Sequence, residues 1–177
     1  MVPGGPPRPY VGSLEGTRRS RANREDSLTR QSLYSDAVYH ESLERIDRLS
    51  PDSVPVWGTM TAAQMLAHCA DVQEVGNGSR ELEGTPFLVR LFGPLIRRMV
   101  VSEKPYPRGA RTLPQYEQRE PRDFELEKAR LLERLAAFRA TEHDAPARHP
   151  IFGELNHEER GWAAYKHLDH HLRQFGL

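Results

Sequence analysis

Cysteine is almost missing from this chain of 177 residues: Cys69 stands alone, so no intrachain disulfide can form and no CxxC redox or zinc motif exists. Any metal site must therefore be built from histidines and carboxylates. A charge excess is missing as well. Lys plus Arg and Asp plus Glu number 25 each, which removes the single-sign field that draws a protein to nucleic acid or to an anionic membrane. Nor is there a long apolar run. The longest, from Pro86 to Val101, is broken by Arg90, Arg97 and Arg98, which makes it too short and too charged to span a bilayer. Met1 to Pro7 lack the charged start, apolar stretch and small-residue cleavage site of a secretory signal. These absences lead us to expect a cytoplasmic, single-domain protein with neither nucleic-acid nor membrane partners.

Residues 1–30 are rich in Pro, Gly, Arg and Ser and poor in aliphatics, a composition that cannot bury enough surface to offset the entropy of ordering. They are expected to form a disordered tail ahead of a folded domain over 31–177. Arg18, Arg19, Arg21, Arg24 and Arg30 could act as a basic arm, but the neutral overall charge argues against that use.

Apolar periodicity divides the remainder into helices. Ala37, Val38, Leu43, Ile46 and Leu49 define the first, ended by Ser50 and Pro51. Thr61 with Gln64 forms a capping box for the second, which Gly76, Asn77 and Gly78 stop near Val75. Thr85 and Pro86 open a third that runs to about Val100, with Pro94 expected to kink or split it. A long proline-bearing connection over 102–121 follows. Asp123 caps a fourth helix to about Thr141, and Asn156 with Glu159 caps a fifth from His157 to Phe175. No segment reads as a strand.

The chemistry is concentrated in Lys166-His167-Leu168-Asp169-His170-His171. At about 100° per residue, His167 and His171 fall on one helical face a turn apart, the standard way to aim two imidazoles at one ion. They flank a core stripe of Gly161, Tyr165, Leu168, Leu172 and Phe175. His170 falls on nearly the opposite face and is expected in solvent, as are Lys166 and Arg173. On the second helix His68 sits at the margin of an apolar arc of Ala62, Met65, Leu66, Cys69 and Val72. His68, His167 and His171 can therefore face one site, and three imidazoles would leave a coordination position for water or substrate. The plain alternative is that an i, i+4 histidine pair lies on an ordinary solvated face. Asp71 and Gln174 are possible outer partners of the imidazoles, and His149 could join from its loop. Cys69 reads as a core cysteine rather than a redox thiol, Tyr165 as a packing aromatic and Trp57 as a plug at the bundle end.

Three segments together, Ala63-Gln64-Met65-Leu66-Ala67-His68-Cys69, His149-Pro150-Ile151-Phe152-Gly153 and Tyr165-Lys166-His167-Leu168-Asp169-His170-His171-Leu172-Arg173-Gln174-Phe175-Gly176, resemble the DinB-like (DinB/YfiT) superfamily, in a branch whose domain has no assigned function. The likeness covers roughly Ser35 to Leu177. It implies an all-α fold, an up-down four-helix bundle with a long crossover connection. It also implies that His68, His167 and His171 hold a divalent metal, typically zinc, nickel or manganese. The activity it implies is that of a small-molecule transferase, of the thiol S-transferase type with a low-molecular-weight thiol, or of a hydrolase. The alternative is a non-catalytic, metal-stabilised helical module or a dimerising interaction protein, with a homodimer as its partner state.

Overall fold

The computed structural model describes Met1 and residues 29–82, 91–110, 112–144, 149–151 and 153–177. The expected tail falls almost wholly outside the described residues, as do Thr85, Pro86 and Phe152. Among the described residues the chain forms five α-helices: α1 (Asp36–Asp47), α2 (Ala62–Gly76), α3 (Gly93–Val101), α4 (Phe124–Ala140) and α5 (His157–Gln174). A 3-10 turn, Pro114–Tyr116, lies in the connection between α3 and α4. No strand occurs among the described residues, only an isolated bridge between His149 and Gly153.

The two helices that carry the histidines begin where side chains satisfy their orphan backbone donors. In α2 the Gln64 N–H donates to the Thr61 hydroxyl at 3.2 Å and the Thr61 N–H donates to the Gln64 side chain at 3.0 Å. Asn156 and Glu159 repeat the reciprocal pair at the start of α5, at 2.9 and 3.1 Å. Asp123 accepts from the Leu126 N–H at 2.9 Å at the start of α4. Pro94 lies in the first turn of α3, where its missing N–H costs nothing; helical Leu91, a turn at Phe92 and the start of α3 at Gly93 put a break in the helical path beside the proline.

One core joins these elements. Leu33, Ile46, Met65, Leu66, Leu131, Leu135, Trp162, Leu168 and Leu172 form a single cluster of buried apolar side chains. α2 packs along α4 and also meets α5, while α5 packs against α1 and α3 as well. Cys69 belongs to this core, with its sulfur 3.7 Å from that of Met65, and burial pushes its thiol well above the ordinary range.

The outer face of α5 is less solvated than its sequence pattern implies. Lys166, expected in water, is 1% exposed. Its ammonium donates to the carbonyls of Met99 at 2.7 Å and Ser102 at 2.8 Å, at the C-terminal end of α3, and sits 4.3 Å from the centre of the Tyr106 ring. The carbonyls that end a helix lack intrahelical donors and carry its negative dipole end, so a lysine is stabilised there even out of solvent. A helical wheel treats the face opposite the core as water; here α3 and the chain that follows it cover that face. Arg173 does reach solvent while pairing with Asp169 at 2.8 Å.

Asp169 is 2% exposed and is held by Arg45 of α1 at 2.9 Å, with Arg45 also donating to the Leu177 carbonyl at 3.0 Å. Removing one partner of a buried pair leaves the other charge uncompensated, at a cost of roughly 3–5 kcal/mol, whereas an exposed pair contributes about 0–1 kcal/mol. Asp169→Ala is therefore expected to lower the unfolding free energy by roughly 3–5 kcal/mol and Arg173→Ala by less than about 1 kcal/mol. Urea denaturation of the two variants checks the contrast, and equal losses would contradict it.

Candidate metal centre

His68, His167 and His171 come together between α2 and α5, each offering one ring nitrogen such that these atoms all lie within 4.8 Å of one another. His68 comes from the middle of α2 and the other two from successive turns of α5, as their spacing predicts. The ring centroids are 5.1 Å (His68–His167), 4.7 Å (His68–His171) and 4.8 Å (His167–His171) apart.

The tautomers follow from the neighbours. His68 Nδ1 lies 3.0 Å from the Tyr116 carbonyl, which can only accept, so Nδ1 carries the proton and Nε2 presents its lone pair. Gln174 donates through its Nε2 to the Trp57 carbonyl at 2.8 Å, which turns its oxygen toward His171 Nδ1 at 2.9 Å. His171 therefore also donates from Nδ1 and leaves Nε2 free to act as a base or ligand. Carbonyl and amide acceptors on the distal nitrogen are the usual outer support of metal-binding histidines. His167 Nε2 sits 3.1 Å from His68 Nε2, and its buried Nδ1 has no hydrogen-bond partner. Two nitrogens on a tetrahedral zinc would be about 3.3 Å apart, given bonds of about 2.0–2.1 Å. The three imidazoles are thus close enough to hold a divalent cation, with His68 and His171 already in the tautomer that ligates through Nε2.

Gln174 also explains a glycine. Gly58 has φ of +82°, and a Cβ there would come within 2.5 Å of Gln174 Nε2. Only glycine at this turn lets the amide reach the Trp57 carbonyl and hold His171.

A cavity of about 650 Å³ opens onto the three imidazoles, lined by Trp57, Met99, Tyr106, Tyr116, His149, Ile151 and residues of α5 among others. His170, expected in solvent, lines it too, half-buried between Tyr106 and Trp57 with ring centroids at 5.7 and 5.9 Å. The reason is the same as for Lys166: the connection after α3 closes over this side of α5. Trp57 is a cavity wall rather than a plug. Asp71 does not support an imidazole; it joins a charged seam between α2 and α4, accepting from Gln118 at 2.7 Å and pairing with Arg130 and Arg80. Tyr165 turns away, its hydroxyl 3.5 Å from Asp169. The Tyr116 carbonyl could not be found from sequence, because any residue type supplies one.

Burial governs protonation here. His68 is held below its ordinary value by desolvation, partly offset by the Tyr116 carbonyl and the charge of Asp71. His167 is driven well below it by desolvation and then by its histidine neighbours. His171 falls to about 3, chiefly by desolvation, and His149 to about 4 for the same reason. All four are neutral near pH 7, the state in which an imidazole can bind a cation.

Fold and site together define an all-helical protein with three neutral histidines, two buried and one partly buried, clustered at a cavity. The chain belongs to the family described as Protein of unknown function (DUF1569), whose model matches residues 27–176. No curated protein and no solved structure matches it.

The depressed histidines also set an acid limit on stability. Below an unfolded pKa of about 6.5 the unfolded chain takes up protons that the native state refuses, so stability falls as pH falls. Each such group adds a slope of up to about 1.4 kcal/mol per pH unit until its folded value is reached. For His149 and His171 that window extends from about 6.5 down to about 4 and about 3 respectively. Chelator-treated protein is expected to lose urea resistance steeply between pH 6.5 and 5, with a shallower slope in His149→Gln. A flat profile across that range would contradict the assignment of neutral buried imidazoles.

Proposed function

We propose that His68, His167 and His171 bind one divalent metal ion, zinc, nickel or manganese, and that the protein is a metal-dependent enzyme acting on a small molecule. The observation that carries this reading is the convergence of three neutral imidazoles, two with their Nδ1 protons fixed by acceptors, at an open cavity rather than in a closed core. Three protein ligands facing a cavity leave room for water or substrate, whereas structural sites are closed by four. A bound ion would supply Lewis acidity, making water or a thiol a nucleophile near neutral pH. The chain's own residues orient the ligands, exclude bulk water with Trp57, Tyr106 and Tyr116, and hold their Nδ1 protons on the Tyr116 carbonyl and the Gln174 amide.

The DinB-like likeness points the same way and gives the reaction class: transfer to or from a low-molecular-weight thiol, or hydrolysis. It also supports reading α1, α2, α4 and α5 as an up-down four-helix bundle, with α3 and the proline-bearing connection as its long crossover. Protein made without an affinity histidine tag is expected to carry about one equivalent of metal by elemental analysis, and His167→Ala to carry almost none. Gly58→Ala should weaken metal binding roughly 10- to 100-fold by displacing Gln174, while His68 and His167 remain in place. Absence of stoichiometric metal, with no effect of zinc, nickel or manganese on the melting temperature, would overturn the proposal.

A second reading rests on the exposed apolar row Leu91, Phe92, Leu95 and Met99 at and beside α3, which is the kind of surface that a second copy of the chain would cover. Sedimentation of the purified protein separates the two: a monomer in which Leu95→Glu changes nothing removes this reading.

A further inference from the structure

The cavity has a second polar end. The face of α5 that lines it runs Arg160, Ala163, Ala164, His167, His171, Gln174, spaced at three, four, seven, eleven and fourteen residues from the first. Arg160 and His167 are two turns apart on one face, about 10 Å along the axis, and the residues between them on that face are alanines whose small side chains leave room above the helix.

Arg160 is 8% exposed. Its guanidinium donates to the Thr141 hydroxyl at 2.9 Å and lies 5.9 Å from the centre of the Tyr34 ring, and among the described residues no carboxylate pairs with it. Glu142, on the neighbouring turn, faces His157 at 3.8 Å instead. The other charged side chains of the cavity wall, Glu117 and Arg119, neutralise each other at 2.7 Å. A guanidinium has five donors in a planar fork, and a buried one is stabilised by an oxyanion that accepts from several of them.

We propose that Arg160 is the recognition site for an oxyanion head, carboxylate or phosphate, on the substrate of this cavity. The substrate is then a small molecule with an anionic end at Arg160, an apolar body over Ala163 and Ala164, and its reacting group about 10 Å away at the histidines. Only the reacting end of this assignment rests on the metal-dependent reading above; the anionic end does not need a metal.

The test uses the full chain, with and without chelator treatment, and four eight-carbon probes: octanoate, octyl phosphate, octanol and a mercaptooctanoate bearing its thiol at the far end. Calorimetry on chelator-treated protein is expected to give at least one of the two anions roughly 10- to 100-fold tighter binding than octanol, and which one names the head group. Arg160→Gln should abolish that preference and leave metal content unchanged, and Arg160→Lys should retain part of it. On metal-loaded protein the mercaptooctanoate should bind tighter than octanoate, and this gain should survive Arg160→Gln. Equal affinity for the anions and octanol in the wild-type chain would overturn the proposal, whether or not the variants fold. An anion preference with no gain from the thiol would leave Arg160 assigned and remove the thiol as the group that reacts at the histidines.

Discussion

The organising constraint is the desolvation of imidazole. Three histidines are packed where charge is costly, so each is held neutral, and three neutral rings can share a small volume only because none repels its neighbours as a cation would. Neutrality fixes the chemistry in turn: a neutral imidazole has one donor and one acceptor nitrogen, and the Tyr116 carbonyl and Gln174 amide take the donors on His68 and His171. Each of those two rings then turns an Nε2 lone pair toward the centre before any ligand arrives. His167, whose Nδ1 has no partner, is the ring whose protonation pattern must change when its Nε2 becomes a ligand.

The same helix resolves an opposite problem a few residues away. Lys166, Asp169 and Arg45 are charged and buried, yet each is compensated: the lysine by helix-end carbonyls, the aspartate and arginine by each other. α5 is thus enclosed nearly all round, and its two kinds of polar residue are told apart by partners rather than by exposure. Cys69, next to His68 in sequence, shows the limit of adjacency. One residue further along α2 turns it by about 100° into the apolar core, where a thiolate is disfavoured, so it supplies packing and no nucleophile.

Much of this was legible in the sequence because it depends on period and caps. The helical spacing of His167 and His171, the position of His68 at the edge of an apolar arc, and the capping residues Thr61, Asp123 and Asn156 all act within one or two turns of chain, where geometry is nearly fixed. What was not legible is what covers what. Lys166 and His170 are polar residues on the face opposite the core, and nothing in their local pattern records that α3 and the following connection return to enclose them. Asp71, three residues after His68, was a reasonable imidazole partner by spacing, but Arg130 from α4 claims it across 59 positions of sequence. Contacts of that separation carry no periodic signal.

The site's accuracy must come from whatever fixes the rotation of α2 and α5 about their axes, since a turn of about 100° would exchange each histidine for its neighbour. Apolar packing fixes rotation only loosely, because Met65, Leu66, Leu168 and Leu172 are flexible or similar in shape and could repack at modest cost. Directional contacts discriminate more sharply. Asp169 of α5 must meet Arg45, Lys166 must meet the end of α3, and Asp71 of α2 must meet Arg130. A rotated helix would bury those charges without partners, a penalty larger than any loss of packing. The buried ion pairs that contribute least to binding chemistry are, on this argument, what keeps three nitrogens aimed at one point.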